Sequence, residues 1–176
     1  TTEGLNRYNG KDVKVFQPSE SNHGLTNNEI NELCGDKNGR MYIRSGNDLI
    51  KLDIYTEQFT CLRQKGVYGL FCKKDTLWVS CADGIYYYTG QGTELTFFAR
   101  VQKGFVGRAL YVDKETVWVV TRKYLVAISR EDPLRQEILL TLDKGNCILG
   151  DSSGNIWVGA WNGLYRISPN RETTAY

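Results

Sequence analysis

Short apolar stretches recur along the whole chain, separated by polar turns, and the recurrence has a period. Four stretches share an apolar residue, an aromatic ring and a second apolar residue: Met41-Tyr42-Ile43, Leu77-Trp78-Val79, Val117-Trp118-Val119 and Ile156-Trp157-Val158. Their rings lie 36, 40 and 39 positions apart. Each is preceded by an apolar stretch and a tight polar turn, Asp36-Lys37-Asn38-Gly39 in the first unit and Asp151-Ser152-Ser153-Gly154 in the last. An aspartate that caps the turn and a glycine that takes a positive φ are the chemistry of a hairpin. The middle units use shorter turns built from Lys73-Lys74-Asp75 and Asp113-Lys114-Glu115.

A third strand follows in every unit: Leu49-Ile50-Lys51-Leu52, Gly84-Ile85-Tyr86-Tyr87-Tyr88, Leu125-Val126-Ala127-Ile128 and Gly163-Leu164-Tyr165-Arg166-Ile167. A more polar fourth strand comes after three of them, near residues 58–62, 95–98 and 137–140. Four antiparallel strands per roughly forty residues is the blade period of a β-propeller. No window keeps a capped helical period. The chain therefore reads as all-β, a propeller segment of four to five blades.

The third-strand pattern occurs once more, at Gly4-Leu5-Asn6-Arg7-Tyr8, 159 residues before its copy at Gly163. The expected units are the end of one blade over residues 1–19, blades over 20–64, 65–101 and 102–142, and an incomplete blade over 143–176. A closed four-bladed ring would have two candidates for one strand position, so the chain is expected to be a fragment of a larger ring. Open strand edges are then expected to make it associate when alone.

Charge and composition narrow the function. Lys and Arg total 22 against 20 Asp and Glu, with both signs interspersed, so no basic block follows a phosphate backbone and nucleic-acid binding is not expected. Eighteen glycines, spread out, suit many short turns. No apolar run is long enough to span a membrane, and the first residues lack a signal-peptide pattern. The chain is accordingly read as either cytosolic or a processed or excised piece. Five cysteines form no CxxC pair and only one histidine is present, so a zinc site of common spacing is not supported. Most of the cysteines read as small buried hydrophobes in strands. There is no Gly-x-Ser-x-Gly elbow, HExxH or phosphate-cradling loop, and neither catalysis nor a cofactor is expected.

Two stretches resemble a known repeat. Gly24-Leu25-Thr26-Asn27-Asn28, followed by Asp36 to Ile43, and Asp151 to Gly159, followed by Gly163-Leu164, are similar to the two-component regulator propeller repeat. The two middle units depart from it, lacking the turn glycine in one and the Gly-Leu in the other. The resemblance implies a seven-bladed ring in the periplasmic sensor region of a Bacteroides-type hybrid two-component system. It also implies adjacent propeller and β-sandwich domains in the same polypeptide, a homodimer, and an oligosaccharide ligand sensed for polysaccharide utilisation. The membrane helix, kinase and response regulator would lie outside this segment, which would not itself touch the membrane. A protein-interaction scaffold and, less favoured, a propeller lyase or glycosidase are the alternatives.

In a propeller, the loops joining second to third strands open on one face together with the loops entering the innermost strands. Those loops hold Arg44, Asp83, Arg122, Trp161 and Asn162, the candidate ligand-binding residues. Trp161 could stack on a sugar ring, and Arg44, Arg122 and Asn162 could hydrogen-bond hydroxyls or a carboxylate. Taken singly, each also reads as a solvated loop residue, with Trp161 packed between blades. Trp78, Trp118 and Trp157 read as blade-to-blade core, Tyr86 to Tyr88 as inter-blade packing, and His23 as structural or solvated.

Overall fold

In the computed structural model, residues 2–18 and 24–176 are described; His23, and with it the reading made for it, lies outside them. The strands form one two-stranded and four four-stranded antiparallel sheets, here numbered as blades 1 to 5. Blade 1 pairs β1 (Leu5–Tyr8) with β2 (Val13–Phe16). Blade 2 runs β3 (Ile30–Gly35), β4 (Arg40–Ser45), β5 (Asp48–Asp53) and β6 (Phe59–Arg63). Blade 3 runs β7 (Val67–Lys73), β8 (Thr76–Cys81), β9 (Gly84–Tyr88) and β10 (Thr96–Ala99). Blade 4 holds β11 (Gly107–Val112), β12 (Thr116–Thr121), β13 (Tyr124–Ser129) and β14 (Gln136–Thr141). Blade 5 holds β15 (Cys147–Gly150), β16 (Ile156–Ala160), β17 (Gly163–Ile167) and β18 (Thr173–Ala175). The last unit is thus not incomplete in strand number. Its fourth strand, Thr173-Thr174-Ala175, is exposed throughout, and an outer strand that buries nothing leaves no apolar alternation to read.

The first strands β3, β7, β11 and β15 pack against one another in series, which sets the sheets radially around them. They approach closely: a Cβ on Gly69 of β7 would lie 2.6 Å from the carbonyl oxygen of Arg108 in β11. Alternation along the strands gives the inner blades two apolar faces, and the faces that meet in the four seams pack on one another. Leu5 of blade 1 meets Ile43, Ile50 and Leu52. Tyr42 and Leu49 of blade 2 meet Leu70, Leu77, Val79 and Tyr88. Trp78 and Ile85 of blade 3 meet Leu110, Val117, Val119 and Ile128. Trp118, Val120 and Leu125 of blade 4 meet Ile156, Val158 and Ile167. The chain is an arc of a β-propeller, with one core in each seam. Tyr86 and Tyr88 face blade 2 while Tyr87 faces blade 4, as strand alternation requires.

The turn aspartates do more than cap. Asp36 accepts hydrogen bonds from the Asn38 and Arg40 amides at 2.8 and 3.1 Å, and from the Tyr42 hydroxyl at 3.3 Å. Asp113 accepts from the Glu115 and Thr116 amides and, at 2.6 Å, from Trp118 Nε1. Asp151 takes the Ser153 and Asn155 amides and Trp157 Nε1 at 2.9 Å. One carboxylate therefore closes the hairpin and fixes the ring of the next strand. Blade 3, where Lys74 takes the positive φ of 55° in place of glycine, lacks this arrangement: Asp75 instead accepts from Asn38 Nδ2 of blade 2.

Hydrogen bonds from Trp157 and Asn155 hold the Asp151 carboxyl down at about 2. A carboxyl lowered in the fold stabilises it above its ordinary value of 3.8 and loses that contribution as the pH falls towards 2. Asp151→Asn is expected to flatten the acid-unfolding profile between about pH 4 and pH 2. Circular dichroism against pH checks this, and an unchanged profile would contradict it.

Candidate binding face

Backbone hydrogen bonds place the predicted loops on one face. The Val67 amide, entering blade 3, donates to the Asn47 carbonyl at 3.0 Å, and the Gly145 amide, entering blade 5, donates to the Arg122 carbonyl at 3.1 Å. The Trp161 amide donates to the Asp143 carbonyl at 2.9 Å, and Asn162 Oδ1 accepts from the Asp143 amide at 3.1 Å. Each second-to-third turn is thus stitched to a loop that enters an innermost strand.

The five candidate side chains do not converge. Arg44 lies within β4 rather than in the loop, and its Nε pairs at 3.5 Å with Glu32 of β3. Glu32 also accepts the Leu70 amide of blade 3 at 3.0 Å, so the pair is a seam contact. Burial raises the pKa of Glu32 against the opposing pull of Arg44 and the Leu70 amide. Asp83 accepts from Arg63 Nη2 of blade 2 at 2.7 Å and from the Tyr86 hydroxyl at 2.9 Å, while Arg63 lies over the Tyr86 ring at 4.7 Å. Partial burial opposes the charge of Asp83, but the bonds from Arg63 and Tyr86 win and its pKa is lowered. Asp83 is thus occupied in holding blade 2 to blade 3, and Arg44 is held by Glu32 of its own blade. Arg122 is exposed on the face. Sequence alternation could not show this, because Arg44 is taken up by its neighbour across the β3–β4 hairpin and Asp83 by a residue of the preceding repeat.

Trp161 and Asn162 remain. Trp161 does not pack between blades: it is 75% exposed, and the Lys144 ammonium stands 3.7 Å from its ring centroid. Asn162 Nδ2 donates to the Tyr165 hydroxyl at 2.6 Å. An open indole, an adjoining cation and the side chains of Asp143, Asn162 and Tyr165 make a small amphipathic platform. Lys144 and Asp143 were legible only as members of the loops entering innermost strands. Between the loops of blades 3 and 4, a cavity of about 280 Å³ is lined by Asp83, Arg100, Val101 and Phe105. Among the described residues, no group of three or more His, Cys, Asp or Glu is placed to hold a metal ion.

The cysteines differ from the sequence reading. Cys34 of β3 and Cys72 of β7 form a disulfide across the seam of blades 2 and 3, with Cα atoms 5.8 Å apart. Cys34 lies opposite Tyr42, whereas Cys72 lies one place beyond Phe71, which is opposite the equivalent Trp78; that one-residue offset turns the two thiols to facing sides of neighbouring sheets. Of the others only Cys81 is buried; Cys61 and Cys147 are exposed.

An open arc of radially packed four-stranded sheets, with its loops gathered on one face, defines a β-propeller segment. Solved structures agree. The chain superposes over 99% of its length, at a TM-score of 0.83 and 21% identity, on an extracellular domain assigned to a hybrid two-component system of B. thetaiotaomicron. An extracellular domain assigned to a one-component system of the same organism matches at 0.78 and 19%, again over 99% of this chain. Virginiamycin B lyase from Staphylococcus aureus matches at 0.71 and 16%, over 99% of this chain and 63% of the lyase. The chain spans only 27% and 28% of the two B. thetaiotaomicron domains. No family model and no curated protein sequence matches it.

Proposed function

We propose that this chain is a non-catalytic segment of the periplasmic sensor region of a hybrid two-component system, and that the region senses an oligosaccharide. The observation that carries this reading is the superposition of essentially the whole chain on such an extracellular domain at a TM-score of 0.83. The Cys34–Cys72 disulfide supports the compartment, since disulfides persist where the surroundings are oxidising. The face that carries Trp161 is the segment's contribution to ligand contact, with the indole as a stacking surface for a sugar ring and Asn162 and Lys144 beside it for hydroxyls or a carboxylate. Binding acts by population shift: ligand favours one arrangement of propellers, sandwich and dimer, and that bias reaches the kinase.

Calorimetric titration of the complete periplasmic region with an oligosaccharide panel is expected to give saturable heat for at least one member. Trp161→Ala is then expected to weaken that binding about tenfold, or roughly 1.4 kcal/mol. Absence of heat across the panel overturns the ligand class, and unchanged affinity in the variant removes this face from the site. The likeness to virginiamycin B lyase favours a second reading as part of a propeller lyase, which predicts turnover of substrate by the intact ring.

A further inference from the structure

Along a regular β-strand, residues three apart face opposite sides of the sheet. At the start of the innermost strands they face the same side. Ile30 and Leu33 of β3 both lie towards Leu5 and Phe16 of blade 1. Val67 and Leu70 of β7 both join the core shared with blade 2. Gly107 and Leu110 of β11 both face blade 3: a Cβ on Gly107 would stand 2.5 Å from Ser80 Oγ, and Leu110 packs with Trp78 and Ile85. Glu32, Gly69 and Ala109 face the other way, towards the following blade. One residue per strand is therefore surplus, and the pairing skips it: the register with the second strand shifts at Asn31, Tyr68 and Arg108. These are β-bulges, which re-aim a side chain.

Blade 5 repeats the pattern just ahead of β15. Gly145 and Ile148 both face blade 4, Cys147 stands on the far side against Gly159, and Asn146 is left between the two faces. The four displaced residues, Asn31, Tyr68, Arg108 and Asn146, are spaced by 37, 40 and 38 positions. Each directly follows a loop that enters an innermost strand, so the four stand at the candidate binding face, on the strand edge that borders the central axis. All four carry hydrogen-bonding side chains, and none is buried. Asn31 Nδ2 donates to Glu29 Oε1 at 2.7 Å. The side chains of Tyr68, Arg108 and Asn146 have no polar partner among the described residues. Asn146 lies two residues beyond Lys144, which joins this set to the Trp161 platform.

Charge favours one class of ligand for this set. Glu29, Glu32, Asp48 and Asp83 on this face already accept hydrogen bonds, from Asn31, the Leu70 amide, the Lys65 amide and Arg63. Arg108 and Arg122 answer to no acid among the described residues. A free guanidinium flanked by neutral donors suits a carboxylate or a sulfate, which it meets through paired N–H groups. We propose that Asn31, Tyr68, Arg108 and Asn146 form a ligand-contacting set at the mouth of the central channel, and that Arg108 selects oligosaccharides bearing an acid group over neutral ones. Tyr68 offers its ring and hydroxyl to the sugar that carries the acid, and the two asparagines bond hydroxyls beside it. The proposal rests on the sensor reading and names the chemical class of its ligand.

Titration calorimetry of the intact protein with trigalacturonate and a κ-carrageenan tetrasaccharide tests it, each probe beside its uncharged form, the methyl ester or the desulfated sugar. At least one acidic probe is expected to bind roughly tenfold more tightly than its uncharged form, and which one does so tells carboxylate from sulfate. Arg108→Gln is expected to abolish that preference while leaving the thermal unfolding midpoint unchanged, since the side chain is exposed and holds nothing in the fold. Arg108→Lys is expected to recover part of it. Lys37→Gln removes the same charge from an exposed turn at the other end of the blade 2 strands and is expected to change nothing. Equal binding of charged and uncharged forms overturns the proposal and leaves the oligosaccharide reading standing, and so does an equal loss in Lys37→Gln. Silence from both acidic probes overturns it too, and saturable heat from neutral oligosaccharides in that case preserves the wider reading.

Discussion

Replacing Cys34 and Cys72 together by serine is expected to lower the unfolding free energy by about 2–4 kcal/mol, the range for a cross-link that closes a loop of this size. For a chain of this length that is roughly 6–12 °C in Tm. The pair joins β3 to β7, the innermost strands of blades 2 and 3, where the hydrogen bond from the Leu70 amide to Glu32 and the Arg63–Asp83 clasp also cross the seam. Those contacts are partly exposed and worth little each, so the covalent link dominates that seam. Urea unfolding of wild type with and without a dithiol reductant checks the prediction. Identical curves would show that the thiols are not joined. Repeat arrays unfold through their weakest interface, so the reduced protein should begin to open between blades 2 and 3.

The second large effect separates two residues that look alike in the sequence. Trp118→Ala is expected to cost about 3–5 kcal/mol, because its ring is 6% exposed inside the seam of blades 4 and 5 and its Nε1 is held by Asp113. Trp157→Ala, at the equivalent position of blade 5, is expected to cost only ~1 kcal/mol in this chain, since less of its ring leaves water. Thermal unfolding of the two variants side by side decides the matter. Equal losses would mean that Trp157 is already packed as deeply as its counterparts.

Blade architecture was readable because it is local. Strand alternation, Asp-x-x-Gly turns and rings spaced by about forty residues each depend on neighbours in the chain, and the sheets formed where these signals stood. The exceptions have the same origin. β18 was missed since Thr173, Thr174 and Ala175 bury nothing and so carry no pattern. Trp157 was expected to be core like Trp78 and Trp118, and its type and position are indeed the same; only the sheet opposite differs.

The candidate face shows where such reading ends. Loop membership correctly grouped Trp161 with Asn162, but could not tell that Arg44 turns to Glu32 or that Asp83 is taken by Arg63. One partner stands on the adjacent strand of the same blade and the other across a seam, and alternation along a strand encodes neither choice. The cysteines make the same point: their types suggested buried hydrophobes, and the juxtaposition of two facing sheets made Cys34 and Cys72 a bond. Periodicity along the chain was sufficient for the strands, their faces and the propeller class, since each follows from which residues leave water together. Pairing across the seams, and with it which polar groups stay free to meet a ligand, was decided only when the sheets packed, because electrostatic and covalent partners are chosen by distance in space.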